Sequence, residues 1–222
     1  MSEYLIIAGV NGAGKTTLYE TAEGFSGLPR VNLDEIVRGF GSWKNPEDVA
    51  KAGQIAVRKI KECFNQNMSF NQETTLCGRS ILRNIEYAKK AGFCVNLFFI
   101  GIESPEFAIS RIKSRIEKGG HGVPDEEVRR RYKESLSNLM RILPICDNVQ
   151  IYDNTKSFRK IAQFQGGMIC WQTEDLPAWY CSNAGQKHDA NRRKRRDRHD
   201  PSFKVEAGEV SRNRSLHHSV LT

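Results

Sequence analysis

The run "IIAGVNGAGKTTL", Ile6 to Leu18, limits what this chain can fold into more than any other stretch. It opens on apolar residues suited to a buried strand, crosses three glycines and closes on residues suited to a helix. Tyr4 to Ala8 therefore reads as a short strand and Lys15 to Glu23 as a helix, joined by a sharp turn. Gly9, Gly14, Lys15 and Thr16 have the spacing of the phosphate-binding pattern G-x-x-x-x-G-K-S/T. Glycines there let backbone N–H groups converge on phosphate oxygens, the lysine reaches the β and γ phosphates, and the hydroxyl ligates Mg2+. The following helix turns its positive end to the anion. At average residue usage the pattern arises by chance in roughly one chain in a hundred of this length, so the strand, loop, helix setting is what makes it specific. The expected ligand is ATP with its Mg2+, held by Gly9, Asn11, Gly12, Ala13, Gly14, Lys15, Thr16 and Thr17, with Thr16 as the metal ligand.

A chain of 222 residues suits one α/β domain with a sizeable core. No segment approaches the roughly 18 apolar residues of a membrane span, so no membrane partner is expected. Met1-Ser2-Glu3 runs directly into the expected first strand, so no signal peptide is expected. The six cysteines, Cys63, Cys77, Cys94, Cys146, Cys170 and Cys181, form no C-x-x-C pair and read as reduced, structural thiols of a cytoplasmic protein.

Charge marks a boundary. From Ser182 onward there are ten Lys or Arg against five Asp or Glu, so this stretch carries five of the eight net positive charges, and four of the five histidines. Its centre, "NRRKRRDRHD", has no apolar periodicity and too little apolar surface to build a core. Residues 1–181 are thus expected to form the folded domain. Residues 182–222 are expected to be a disordered basic tail able to hold nucleic acid nonspecifically.

Within 1–181, apolar strand-like runs alternate with helical patterns, as in a parallel sheet covered on both faces. Strands are expected near 4–9, 29–33, 69–74, 93–100 and 148–152, with a weaker one near 167–171. Helices are expected from Pro46 to Asn67, with a face of Val49, Gly53, Ala56, Val57, Ile60 and Phe64, and from Ile81 to Ala91. Two more run from Pro105 to Lys118 and from Pro124 to Leu139, separated by "KGGHGVP".

The loop sequence "GVNGAGKTTL" is similar to that of ABC transporter ATPases, but the chain has neither an LSGGQ-type signature nor a long apolar strand ending in Asp-Glu. Short elements, carboxylates at strand ends and an arginine-rich second half point to a small kinase. "VNLDEI" at 31–36, "SFNQETTLCGR" at 69–79, "GGHGVPDEEVRRRY" at 119–132 and "YDNT" at 152–155 resemble the short bacterial proteins grouped with the zeta toxins. That resemblance runs from about residue 3 to residue 155. It implies a P-loop fold of nucleotide-kinase type with an arginine-rich lid, an ATP-dependent kinase acting on a hydroxyl of a UDP-amino sugar, and an antitoxin partner. The acceptor carries over less firmly than the reaction class.

Phosphoryl transfer asks for positioning, charge neutralisation and a carboxylate to accept the proton of the attacking hydroxyl. Asp34, just past the second strand, matches the family's proposed base; its alternative role is to cap a helix starting at Glu35. Asn32, two residues earlier, projects to the same side and is expected to assist with substrate or Mg2+. Glu73 ends an unusually polar third strand and matches the family's substrate-contacting glutamate, with Thr74 beside it. The other reading is an exposed polar strand end, with Thr75 or Ser80 capping the next helix. Arg111 and Arg115 share a helix face, and Arg129, Arg130 and Arg131 follow the glycine turn, so the segment reads as a lid whose arginines offset transition-state charge. Arg131 and Arg115 rank first and Arg130 third; paired surface arginines are the alternative. His121, between glycines in the lid, is expected to meet substrate or to serve the turn alone. Asp153 and Asn154 follow the fifth strand, either near adenine or in an Asx turn. Trp171 and Trp179 read as packing residues. A polynucleotide 5′-hydroxyl kinase and a non-catalytic ATP-holding interaction module are the rival functions.

Overall fold

In the computed structural model, the described residues are 1–22 and 24–185. The elements are β1 (Glu3–Ala8), α1 (Lys15–Thr21), β2 (Arg30–Val31), α2 (Leu33–Arg38), α3 (Pro46–Asn65), β3 (Phe70–Thr74), α4 (Arg79–Lys90) and β4 (Cys94–Gly101). They continue with α5 (Pro105–Glu117), α6 (Asp125–Ile142), β5 (Asn148–Asp153), β6 (Arg159–Gln165), β7 (Met168–Gln172) and α7 (Ala178–Tyr180).

One seven-stranded sheet has the order β2-β3-β1-β4-β5-β6-β7. The first five strands of that order are parallel, and β6 and β7 are antiparallel. Because β1 is central, successive residues enter opposite cores, which is why its sequence is a continuous apolar run. Tyr4, Ile6 and Ala8 join one core with Ile60 and Phe64 of α3, Ile81 and Ile85 of α4, and Leu136 and Leu139 of α6. Leu5 and Ile7 join the other with Leu18 of α1 and Ile109 and Ile112 of α5. Each such buried aliphatic side chain contributes about 1.5–3 kcal/mol. The parallel register aligns Ala8 with Thr74 and with Phe99, so the ends of β1, β3 and β4 open onto one rim.

Several expectations are revised. Strand β6 was not foreseen, although Gly166 and Gly167, with φ 53° and 77°, make a tight hairpin into β7. On α3 the expected face holds at Ile60 and Phe64, with Ala56 packed partly buried beside them; Ala52 and Cys63 join it, and only Val57 is exposed. Trp171 lies on the edge strand and is 45% exposed, so it is no packing residue. Trp179 is buried and donates to Asp153 Oδ1 at 2.9 Å. Cys181–Gly185 forms a further helical turn, with Asn183 Nδ2 donating to the Trp179 carbonyl at 2.7 Å. The rest of the expected tail lies outside the described residues. The cysteines are all free, with Cys63 and Cys146 buried. Among the described residues no helix is long and apolar enough to cross a membrane.

Candidate active site

The turn after β1 is built for close approach. Gly9, Gly12 and Gly14 have φ of 149°, 81° and 101°, which disfavour any side chain. A Cβ on Gly9 would lie 2.4 Å from the Ile100 carbonyl oxygen, and one on Gly12 2.9 Å from that of Ala108. Gly14 then caps α1 without a side-chain bond, leaving the first N–H groups of that helix for a ligand.

Lys15 is buried and its ammonium folds back on the loop, donating to the carbonyls of Gly9 at 3.0 Å and Val10 at 3.3 Å. Burial lowers its pKa; Glu73 and Asp34 pull it up, and Arg115 and Arg131 press it down. Four groups from α2, β3, α5 and α6 thus act on one ammonium. Thr16 is exposed beside it.

Glu73, at the end of β3, is held by Arg30 Nη2 at 2.7 Å and Asn32 Nδ2 at 3.0 Å, with Lys15 Nζ 3.9 Å away. Burial raises its pKa against the pull of those two cations. Arg30 lies 3.3 Å over the Tyr19 ring, and its Nε sits 3.0 Å from Glu35 as an ion pair without hydrogen-bond alignment. Asp34 is not the helix cap. That role falls to Asn32, whose Oδ1 accepts from the Asp34 N–H at 2.9 Å, because α2 starts at Leu33 rather than Glu35. The Asp34 carboxylate is consequently free to face the lid, 3.9 Å from His121 Nε2.

The lid arginines separate. Arg131 reaches the loop, donating to Asn11 Oδ1 at 3.0 Å. Arg115 donates to the His121 carbonyl at 2.9 Å, while its Nε is buried without a partner. Arg111 approaches the carbonyls of Gly12 and Thr155 at 3.5 and 3.4 Å. Arg130 is not brought to the loop. One residue before Arg131 on a helix, it faces outward, 57% exposed and paired with Glu127 and Glu134. There it lines a cleft of about 720 Å³ with Arg79 and Lys133. Arg130 and Arg131, both paired with Glu127, hold its carboxyl at about 2. Arg129 is likewise paired, with Glu106 and Glu126.

The remaining site residues serve the frame. Thr74 Oγ1 accepts from the Leu76 N–H at 3.0 Å, and neither Thr75 nor Ser80 caps α4, whose cap is Gly78. Asn154 Nδ2 donates to the Ala13 carbonyl at 2.8 Å and braces the loop; Asp153 accepts from Thr155 Oγ1 at 2.6 Å, which closes a turn. Arg30, Arg38 and Trp43 were missed by sequence reasoning. Arg30 directly precedes "VNLD", and Trp43 is a large ring in a polar loop; both were visible signals.

The sheet order, the glycine turn after β1 and the helix it caps define a P-loop, kinase-like fold. The family model described as zeta toxin matches residues 3–161, and the chain belongs to that family. An uncharacterized protein of Haemophilus influenzae is 33% identical over 130 residues, 58% of this chain and 91% of that one. Among solved structures, a chain of the AvrRxo1-ORF1:AvrRxo1-ORF2 complex with sulphate ions is similar with a TM-score of 0.64 at 18% identity, over 85% of this chain and 63% of that one. A chain of the PezAT toxin-antitoxin system of Streptococcus pneumoniae gives 0.55 at 19%, over 71% of each. This chain therefore spans less than two thirds of the AvrRxo1 complex chain it matches.

Proposed function

We propose that this protein is an ATP-dependent phosphotransferase that moves the γ-phosphoryl group of MgATP to a hydroxyl of a small metabolite, with a UDP-amino sugar as the acceptor class. The observation that carries the reading is the meeting of charged side chains at the glycine loop: Glu73 lies 3.9 Å from the Lys15 ammonium, Arg131 donates to Asn11, and Asp34 and Arg115 also act on Lys15. In the transfer, Lys15 swings from the loop carbonyls to the phosphates, and Arg115 and Arg131 offset the charge of the transferring group. Asp34 orients the acceptor hydroxyl and takes its proton, with Asn32 holding the start of α2 in place. Glu73, with Thr74 beside it, and His121 line the acceptor side.

The site suits MgATP on chemical grounds. Glycines at positive φ let the loop backbone turn tightly before α1, whose first N–H groups have no side-chain cap, and the exposed Thr16 hydroxyl is a hard oxygen ligand. Bound there, MgATP supplies the phosphoryl group. An antitoxin is the expected protein partner, by analogy with the toxin-antitoxin neighbour.

The test is mass spectrometry of a panel of UDP-sugars, a 5′-hydroxyl oligonucleotide and a sugar alcohol, each incubated with protein and MgATP. A phosphorylated UDP-N-acetylglucosamine supports the reading. Phosphorylation of the oligonucleotide and of no UDP-sugar replaces it with a polynucleotide kinase, and tight ATP binding with no product replaces it with a non-catalytic module.

A further inference from the structure

The connection between α5 and α6 and the connection between α2 and α3 meet ring to ring. His121 lies flat against Trp43, with centroids 4.6 Å apart and planes 11° apart. The same imidazole places Nε2 3.9 Å from Asp34 Oδ2, on the first turn of α2. Its own carbonyl accepts from Arg115 Nη2, so ring and guanidinium are fixed together. The flanking glycines let this path run close to α5. A Cβ on Gly120 would lie 2.6 Å from Arg115 Cγ, and one on Gly122 2.8 Å from Ile116 Cδ1.

We infer that Trp43 is a positioning residue for phosphoryl transfer: by stacking on His121 it docks the α5–α6 connection against α2 and sets His121 beside Asp34. This rests on the assignment of Asp34 to the acceptor hydroxyl. A flat indole holds an imidazole through its face and uses neither ring nitrogen, which leaves Nε2 turned to the carboxylate. Docking also places Arg115, whose Nε is buried without a partner. Trp43 thus links the element that activates the acceptor to the element that neutralises the phosphoryl group.

The charged groups that face His121 are Asp34 and Arg38 from α2, Arg115 from α5 and Arg131 from α6. Burial holds its pKa below the ordinary histidine value, Asp34 opposes this, and the three arginines reinforce it. The stack and the titration are therefore linked, and one can be read through the other.

The experiment titrates His121 by NMR in the full-length chain, with its signal assigned by loss in His121→Ala, for wild type, Trp43→Ala and Trp43→Phe. Transfer of the γ-phosphoryl group is followed in parallel across pH, to UDP-N-acetylglucosamine or, if no acceptor in the panel reacts, to water. Failure of the UDP-sugar then sinks the acceptor assignment and leaves this inference testable. Trp43→Ala should admit water, raise the His121 midpoint, move the acid limb of the pH profile with it and lower kcat by about ten- to a hundredfold. Affinity for a non-hydrolysable ATP analogue should not change, and Trp43→Phe should restore both titration and rate. A wild-type titration and pH profile in Trp43→Ala overturns the inference. So does a loss of rate matched by loss of analogue binding and not rescued by phenylalanine, which would make Trp43 a packing residue.

Discussion

Replacing Gly9 by alanine should damage the site far more than the fold. The new Cβ would stand 2.4 Å from the Ile100 oxygen, which belongs to the backbone of the central strand β4 and cannot step aside. Ordinary contact would require the loop to retreat by about 1 Å, and a misplacement of that size costs on the order of 10²-fold in turnover. The φ of 149° adds torsional strain of about 1–2 kcal/mol. Two other glycines separate these terms. At Gly14 the Cβ would meet Asn154 Nδ2 at 2.3 Å, a side chain that can rotate away at the expense of its bond to Ala13. At Gly27, φ is 84° and nothing lies within 4 Å, so only the strain remains. The expected order of loss in kcat/KM for ATP is Gly9→Ala, then Gly14→Ala, then Gly27→Ala near wild type. Thermal midpoints should fall by only a few degrees in all three, since about 1 kcal/mol corresponds to roughly 2–4 °C in a chain of this size. Gly9→Ala with wild-type kinetics, or Gly14→Ala worse than Gly9→Ala, would refute the steric account.

What the sequence made legible follows from how far each signal reaches along the chain. The phosphate loop was readable because its strand, turn and helix occupy one short window, and the spacing of Gly9, Gly14 and Lys15 is itself the geometry. Asp34 and Glu73 were readable as carboxylates at strand ends, since parallel strands bring those ends to one rim. The Trp43–His121 contact was not, because it joins two loops 78 positions apart and no local period encodes it. Arg130 and Arg131 differ by one residue in sequence and by about 100° around a helix, which is why the helical period ranks Arg131 above Arg130 although composition does not distinguish them. Strand β6 hid because "RKIAQFQ" carries only three large or small apolar residues, though the Gly166-Gly167 pair at its end was a hairpin signal.

Lys15→Ala should abolish turnover in a protein whose thermal midpoint is unchanged or raised, because burial disfavours that ammonium in the free protein; retained activity would remove the loop from the mechanism. Asp34→Asn keeps the side-chain length and removes the proton acceptor, so kcat should drop by roughly 10²–10⁴-fold with ATP affinity intact. Collapse of ATP binding would place Asp34 with the nucleotide instead. Glu73→Ala should raise KM for the acceptor far more than for ATP, read from initial rates with each substrate varied in turn. The last expectation concerns acid. The His121 pKa in the folded protein lies below its unfolded value, so between the two the unfolded chain binds more protons and folding weakens as pH falls. That contribution is fully present above the ordinary histidine value of about 6.5 and is lost as pH drops through the folded one. His121→Gln removes the titration, and its thermal midpoint should therefore decline less steeply than wild type between about pH 7 and 5. Parallel declines would mean that His121 is as solvated in the folded chain as in the unfolded one, which its burial beside Trp43 does not allow.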